Sequence, residues 1–552
     1  MGDFDAENQE RKEKIKGSLF SWVKDDYDKF FLLILTVAFI IRIWVFTKTL
    51  DQPIWWDAAD YLSTAKTWAG LNTNFFDTWY YRRGFFWPLF SSLFFRFGLG
   101  ESAIRFTVLL FSTGIVATSY FLIKEMFNKE LALYTSIILT FSWVFLFFSG
   151  RPLTSLPATF FLMLATLFFW KGYIKGQGNK YLYWFGIFYG IAVLTRMQFA
   201  LFALPFLILI FSKEKFGFLK SKKLWITLLL FFLVLSPHVI MYNQHYGNPA
   251  ADILNYYFRV DGLSETGELG GSGDLGKLLD YFKNLPYALS TPVFILFLIG
   301  LFYMLGDLIL GFDKLFKNPR LQKKLFIILW IVTNFLVLGY ITENVEQRYM
   351  MPSLTFLFFM AAVPIASLRR IISEKFSIKG KKSIYLAAII LIALLIPGFL
   401  FSGDLIDSKK TSYLEVKEAG EWIKRNSNLE DIIISASMPQ ITYYAERATN
   451  KLHLAYRRDL PKGNESEFYA YIEEAKPRYL MLSVFEMRGQ PEWVLNYPQT
   501  HPNRVNPVQV YYQGEQPVVI IYEFVYHNAL VNAEEVMINS QEAPTNNTDP
   551  IN

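Results

Sequence analysis

The chain has 552 residues, of which 53% are hydrophobic and 18% are charged, with a net charge of +6. A soluble domain carries about 25% charged residues, and the deficit here falls in apolar runs such as Leu224–Pro237. That run has no polar face, so we predict an integral membrane protein. The absence of cysteine excludes disulfides and thiolate chemistry. The modest positive charge fits basic loops at a membrane and does not indicate a nucleic-acid partner.

Apolar runs divide the first three quarters of the chain. Residues 1–29 are charged and lack the apolar core of a signal peptide, so we expect a cytoplasmic N-terminal segment. Residues 30–404 hold about eleven runs that predict transmembrane helices. Their cores are 30–46, 102–122, 131–148, 157–170, 181–195, 198–212, 224–242, 291–310, 325–341, 349–366 and 384–402. The pair 181–195 and 198–212 is split only around Arg196, and one broken helix is an alternative there.

Basic residues predict the orientation of these spans. The segments 213–223 and 369–382 are rich in lysine and arginine, and an alternation of eleven spans places both in the cytoplasm. The loops 48–101 and 243–290 then lie outside, together with the C-terminal region. Two large loops on one face indicate a site at that face, with the spans as its scaffold.

The C-terminal region has a different character. Glu415–Arg425 has the periodicity of an amphipathic helix. Short runs rich in strand-forming residues are Ile432–Ser435, Tyr479–Ser483 and Val518–Phe524. We therefore predict a small extracytoplasmic α/β domain over residues 405–526. Residues 527–552 are polar, and we expect a disordered tail.

A carboxylate stands close to the end of the first span. Asp57 follows Trp55 and Trp56, and Asp60 and Tyr61 come about one helical turn later. A carboxylate at the membrane face can act as a general base or as a metal ligand. The alternative is a solvated loop aspartate beside tryptophans of the interfacial belt.

Arginines lie at the outer ends of predicted spans and in the first outer loop. They are Arg82, Arg83, Arg151, Arg196 and Arg348. Guanidinium groups bind phosphate through paired hydrogen bonds. Snorkelling to the lipid headgroups explains each arginine singly, but the three at span ends, Arg151, Arg196 and Arg348, all fall on the side of the two large loops. We therefore predict a polar, basic cavity that faces outward.

Several motifs follow one another in a recognisable order over residues ~30–370. They are Asp57 with Tyr61 and Ala65, then Gly190–Arg196, then Ser236-Pro237-His238 with Asn243 and Gly247-Asn248, then Gln347–Pro352. In this order and spacing the chain resembles the GT-C superfamily of membrane glycosyltransferases. The likeness is greatest to the branch that contains protein O-mannosyltransferases and bacterial lipid A aminoarabinose transferases. The predicted fold is thus a GT-C-like polytopic membrane protein with a C-terminal α/β domain.

The chain departs from this family at two acidic positions. The family often has Asp-Glu where this chain has Asp57-Ala58, so the second carboxylate is missing or is supplied by Asp60. Many members have an acidic residue after the third span, where this chain has Arg151. No cofactor is implied with certainty, and the involvement of a divalent metal stays open.

The resemblance implies an enzyme that moves a sugar from a polyprenyl-phosphate donor to a protein, lipid or glycan acceptor at the outer membrane face. It implies that Arg196 and Arg348, with Arg82 or Arg83, hold the donor phosphate. Asp57 would deprotonate the acceptor for an inverting attack on the anomeric carbon. Supporting or acceptor-binding roles would fall to Asp60, Tyr61, Arg151, Glu346 and His238.

Two other functions stay open from the sequence. A transporter or flippase of a lipid-linked substrate predicts polar cavities at the inner as well as the outer face. A non-catalytic receptor or assembly factor predicts that removal of residues ~405–552 abolishes function while changes at Asp57 and Arg196 do not.

Overall fold

The computed structural model describes residues 22–23, 25–71, 83–246, 276–315, 317–342, 344–378, 380–435, 437–447, 465–486 and 492–526. Contacts group the chain into two units. The first, which we call the membrane unit, comprises Met1–Gln52 and Thr78–Ser412. The second, the C-terminal unit, comprises Tyr413–Asn552 and also Pro53–Asp77. The domain boundaries that we infer from the sequence stay predictions, and the predicted tail lies outside the described residues.

The helices up to residue 408 are mostly apolar and range in length from 7 to 28 residues. In chain order they are α1 (Asp26–Thr49), α2 (Trp56–Trp68), α3 (Phe86–Arg96), α4 (Gly100–Met126), α5 (Lys129–Phe141), α6 (Trp143–Ser149), α7 (Ser155–Phe169), α8 (Asn179–Thr195), α9 (Ala203–Glu214), α10 (Lys222–Tyr246), α11 (Gly276–Leu289), α12 (Thr291–Leu310), α13 (Pro319–Ile341), α14 (Met351–Lys375) and α15 (Lys381–Ser408). Of these, α2 belongs to the C-terminal unit.

The prediction of a multi-pass membrane protein is confirmed. Among the described residues, 8 helices are long and apolar enough to cross a membrane, and the number is 9 if α5 and α6, which meet at a bend of 53°, are counted as one span. These nine coincide with nine of the predicted spans. The remaining two coincide with α8, of 17 residues, and with α9, of 12 residues, which is preceded by a 3-10 helix over Met197–Phe202.

The structure decides between two spans and one broken helix at 181–212. The Tyr189 hydroxyl donates to the carbonyls of Phe199, at 3.0 Å, and Ala200, at 2.9 Å. One turn earlier in α8, the Phe185 ring lies 4.9 Å from the Phe206 ring. Earlier residues of α8 thus meet later residues of α9, so the chain reverses at Arg196 and the two helices are antiparallel.

Buried charged residues connect the first helix of the membrane unit to α4 and α5. The Asp28 carboxylate in α1 is fully buried and accepts from the Tyr120 hydroxyl at 2.8 Å. It also pairs with Lys124 at 2.7 Å and Lys129 at 2.6 Å. A buried carboxylate without cationic partners is costly, so these pairs hold α1 against α4 and α5.

The C-terminal unit contains a mixed sheet covered by helices. Its strands are β1 (Ile433–Ser435), β2 (Tyr479–Ser483), β3 (Val505–Gln513) and β4 (Gln516–Phe524), and its further helices are α16 (Leu414–Asn426), α17 (Met438–Ala445), α18 (Glu465–Ala475), α19 (Glu492–Leu495) and α20 (Tyr497–Thr500). The strand order is β1-β2-β4-β3, in which only β1 and β2 are parallel. The three predicted strands and the predicted helix at 415–425 are confirmed, whereas β3 was not predicted from the sequence.

Helix α2 packs within the C-terminal unit. Just before α2, the amide of Ile54 donates a hydrogen bond of 2.7 Å to the Tyr444 hydroxyl oxygen. Further along, the Lys66 ammonium donates to the Tyr443 carbonyl at 3.0 Å and pairs with Glu446 at 2.9 Å. These contacts fix α2, and with it Asp57, to α17.

Glu446 makes the attachment of α2 sensitive to acid. It pairs with Lys66 at 2.9 Å and with Lys424 at 2.6 Å. Burial by itself raises the pKa of Glu446, but the two lysines outweigh it and the pKa lies below its ordinary value of 4.5. A lowered carboxylate pKa stabilises the folded state above the unfolded pKa, and this stabilisation is lost as the pH falls through the folded pKa.

We expect Glu446→Gln to weaken the attachment of α2 by about 1 kcal/mol at pH 7. Hydrogen exchange of residues 56–68 should then become about fivefold faster, since 1.4 kcal/mol corresponds to about tenfold. The difference between wild type and variant should shrink below pH 4.5, where wild-type Glu446 itself becomes protonated. Glu474→Gln is the matched control, because Glu474 is exposed. An equal effect of both substitutions would contradict the assignment.

Candidate functional site

Arg196 stands where the chain turns between α8 and α9. It follows the last residue of α8 with an extended backbone, φ −145° and ψ 105°. Its guanidinium donates to the Ser155 hydroxyl at the start of α7, at 2.8 Å. The same guanidinium lies 4.7 Å from the centre of the Tyr349 ring. Arg196 therefore links three separate parts of the membrane unit.

Arg348 meets the same aromatic ring. Its guanidinium lies 4.9 Å from the centre of the Tyr349 ring and donates to the Tyr349 hydroxyl at 3.1 Å. It also donates to the Glu346 carboxylate at 3.0 Å. Cations are attracted to the face of an aromatic ring, so Tyr349 holds Arg196 and Arg348 in one place although they are far apart in the chain.

Arg151 adds a third positive charge nearby. It lies in the short segment between α6 and α7, is only 5% exposed, and stacks 3.8 Å from the centre of the Phe147 ring. Burial and the neighbouring charges of Arg105 and Arg348 lower the pKa of Arg151. A buried cation beside two others is electrostatically unfavourable, and an anion bound there would relieve that repulsion.

The segment before α3 brings Arg83 to the same region of the membrane unit. Gly84 packs so closely on the end of α8 that an added Cβ would lie 1.9 Å from the Leu194 carbonyl oxygen. Phe85 lies 5.9 Å, ring to ring, from His238 of α10. Trp87 donates from its indole to the Pro152 carbonyl at 3.1 Å. Together these contacts place residues 84–87 against the segment before α7, the end of α8 and His238 of α10.

We call Arg83, Arg151, Arg196 and Arg348 the arginine cluster. All four were predicted from the sequence as residues of a basic cavity or of a phosphate site, and the contacts above bring them to one region of the membrane unit. His238 is buried beside this region and Glu346 pairs with Arg348. Arg82 lies outside the described residues.

The close approach of Gly84 predicts a sensitive position. We expect Gly84→Ala to destabilise the protein by about 1–3 kcal/mol, because the backbone of α8 has to move to admit the methyl group. Gly306→Ala is the control, since an added Cβ at Gly306 meets nothing within 4 Å. Thermal unfolding of both variants measures the difference. Equal melting temperatures would contradict the close packing.

The predicted base lies on a helix of the C-terminal unit. Asp57 is in the first turn of α2, and Asp60 and Tyr61 follow at spacings that place all three on one side of a helix. All three are partly exposed, whereas Ala58, Ala59 and the neighbouring apolar positions of α2 are buried. The carboxylates thus lie on the partly exposed side of α2, away from the side that is buried in the C-terminal unit.

Metal ligation finds no support among the described residues. Within them, no group of three or more histidine, aspartate and glutamate side chains is arranged to hold an ion. Ser155 and Tyr349 were not predicted from the sequence as partners of the arginines. Tyr349 directly follows Arg348 in one of the motifs, and this adjacency was a signal that could have found it.

Comparisons with known proteins agree with this architecture. Residues 83–241 match the family described as dolichyl-phosphate-mannose-protein mannosyltransferase. No curated protein matches the chain by sequence. The structure is similar to that of ArnT from Cupriavidus metallidurans bound to undecaprenyl phosphate, with a TM-score of 0.61 and 12% identity over 91% of this chain and 98% of that one.

Archaeal structures have the same fold. An oligosaccharyltransferase from Archaeoglobus fulgidus, tethered to an acceptor peptide, has a TM-score of 0.58 and 13% identity over 92% of this chain and 75% of that one. The oligosaccharyltransferase AglB from the same organism, in complex with an inhibitory peptide and a dolichol-phosphate, has a TM-score of 0.56 and 14% identity over 84% and 70% of the two chains. At these identities the likeness is one of fold.

Proposed function

We propose that this chain, whose fold is that of the GT-C membrane glycosyltransferases, transfers a sugar from a polyprenyl-phosphate donor to an acceptor hydroxyl or amine. The observation that carries the proposal is the arginine cluster, in which Arg196 and Arg348 share the Tyr349 ring at 4.7 and 4.9 Å. A concentration of cations at the ends of membrane spans suits a lipid phosphate. The undecaprenyl phosphate and the dolichol-phosphate bound by the similar proteins support this class of donor.

In this proposal Arg196 and Arg348 bind the donor phosphate, and Arg83 or Arg82 contributes a further contact. Guanidinium groups present paired N–H donors to phosphate oxygens. Arg151 adds positive charge to the region, and Glu346 orients Arg348 through their ion pair. His238 supports the segment before α3 through its contact with Phe85.

Asp57 is the proposed base. Its carboxylate takes the proton from the acceptor O–H or N–H as the acceptor atom forms a bond to the anomeric carbon. The bond from that carbon to the phosphate oxygen breaks, and polyprenyl phosphate leaves with the electron pair. The configuration at the anomeric carbon is inverted. A positioned base and cationic stabilisation of the leaving phosphate are sufficient for this chemistry.

The acceptor is a protein, a lipid or a glycan, and Asp60 and Tyr61 are placed to contact it from the same side of α2. We propose that the C-terminal unit lies outside the cytoplasm, because lysine and arginine are concentrated in the loops assigned to the opposite face. This places the acceptor at the outer membrane face.

The test uses the purified full chain in liposomes that contain a polyprenyl-phosphate-linked sugar. Release of polyprenyl phosphate together with a glycosylated acceptor supports the proposal. Movement of the lipid-linked sugar across the bilayer without transfer would instead support a flippase. Deletion of residues 405–552 tests whether the protein is a non-catalytic assembly factor. Such a protein would lose all function on this deletion but would be unaffected by Asp57→Asn.

A further inference from the structure

A buried arginine outside the cluster joins the ends of two spans. Arg105 lies in the second turn of α4 and is 1% exposed. Its Nη1 donates to the carbonyls of Thr49, at 3.0 Å, and Gly150, at 2.9 Å. Its Nη2 donates to the Gln52 carbonyl at 2.6 Å, and Nε donates to Glu101 at 2.6 Å. Every nitrogen of the guanidinium therefore has an acceptor.

The carbonyls that Arg105 binds belong to helix ends. Thr49 is the last residue of α1, and Gly150 directly follows the last residue of α6. The final carbonyls of a helix have no partner within it and carry partial negative charge. A guanidinium satisfies several of them at once with a fixed planar geometry, which the ammonium of lysine cannot reproduce.

Close packing of Gly150 against Thr49 adds to this contact of Arg105, Thr49 and Gly150, which we call the joint between α1 and α6. A Cβ added to Gly150 would lie 2.0 Å from the Thr49 hydroxyl oxygen and 2.9 Å from its Cβ. Only glycine therefore lets α6 end directly against α1. Arg151 is the next residue, and its amide donates to the Phe148 carbonyl at 3.1 Å. The backbone that carries the Arg151 side chain is thus set by the joint of Arg105, Thr49 and Gly150.

We infer that Arg105 is a positioning residue for the arginine cluster, which it serves by fixing the backbone at Gly150 so that Arg151 is held in place. This inference rests on the proposed function, because it assigns to Arg151 a share in binding the donor phosphate. Arg105 itself does not touch the donor. Its side chain is already committed to carbonyls and to Glu101.

The experiment is a double-mutant cycle that measures the dissociation constant for undecaprenyl phosphate. We expect Arg105→Lys and Arg151→Lys each to weaken binding by about 10-fold, the size of one lost charge-assisted hydrogen bond. If Arg105 acts through Arg151, the double variant weakens binding by about 10-fold as well, whereas independent effects would multiply to about 100-fold. The inference is overturned if the two effects on the dissociation constant multiply, or if Arg105→Lys binds undecaprenyl phosphate as tightly as the wild type.

A second pair of variants tests the joint without altering charge. Gly150→Ala should weaken binding in the same way, and adding Thr49→Gly should restore it, because the atoms that the new Cβ meets are then removed. A general loss of folding would not be reversed in this manner, so failure of the rescue counts against the inference. Arg96→Lys is the matched control for Arg105→Lys, since Arg96 is exposed at the end of α3.

Arg196→Ala separates failure of this inference from failure of the proposed function. If Arg196→Ala leaves undecaprenyl phosphate binding unchanged, the donor site itself is misplaced and both ideas fall. If Arg196→Ala weakens binding while the Arg105 and Arg151 effects multiply, only the positioning role of Arg105 is wrong.

Discussion

Arg348→Ala should weaken binding of undecaprenyl phosphate by about 100-fold or more. Two lost charge-assisted hydrogen bonds account for about that factor. The substitution also removes the guanidinium that lies 3.0 Å from the Glu346 carboxylate. The negative charge of Glu346 is then no longer balanced by Arg348 and repels the phosphate. We therefore expect a larger loss for Arg348→Ala than for Arg196→Ala, whose side chain pairs with the neutral Ser155 hydroxyl.

The double variant Arg348→Ala with Glu346→Gln isolates this repulsion. Removing the carboxylate should recover part of the affinity that Arg348→Ala loses. Arg370→Ala serves as the control, because Arg370 is an exposed arginine near the other end of α14. Titration of the purified variants with undecaprenyl phosphate gives the dissociation constants. Unchanged affinity in Arg348→Ala would refute the placement of the phosphate.

Asp57→Asn should lower the rate of sugar transfer by about 1,000-fold, within the range that general-base catalysis contributes. The amide keeps the size of the side chain but cannot accept the acceptor's proton. Because the substitution leaves the arginine cluster intact, binding of undecaprenyl phosphate should stay within about threefold of wild type. Single-turnover transfer, measured beside donor binding, checks both parts of the prediction.

Neighbouring carboxylates provide the comparison for Asp57. Asp51→Asn should transfer sugar at the wild-type rate, because Asp51 is exposed and precedes α2. Asp60→Asn tests the second carboxylate, and we expect a smaller loss than at Asp57. Wild-type transfer by Asp57→Asn would remove the base assignment and leave the donor site untouched.

The combination of these variants distinguishes binding from chemistry. Loss of binding at Arg348 with retained binding at Asp57 is expected of an enzyme whose donor site and base are separate groups. A flippase would respond to changes in the arginine cluster but would be indifferent to Asp57→Asn. The two experiments therefore test the class of the protein as well as the roles of its residues.

The sequence by itself determined the membrane class, most of the span positions, and the helix and three strands of the C-terminal region. These features depend on the composition of one continuous segment, which the sequence displays directly. Strand β3 was missed although it is nine residues long. It forms an edge of the sheet, only Val505 in it is buried, and Pro507 interrupts its run of strand-forming residues.

Only the tertiary structure decided which of the predicted residues come together. The arginines of the cluster lie on separate segments, and the Tyr349 ring and the close approach of Gly84 to α8 unite them. Assignment of α2 to the C-terminal unit likewise depends on contacts with α17. Arg105 had no signal in the sequence, because its principal partners are backbone carbonyls, which every residue carries. Such bonds depend on where helices end in space, and that is fixed by packing alone.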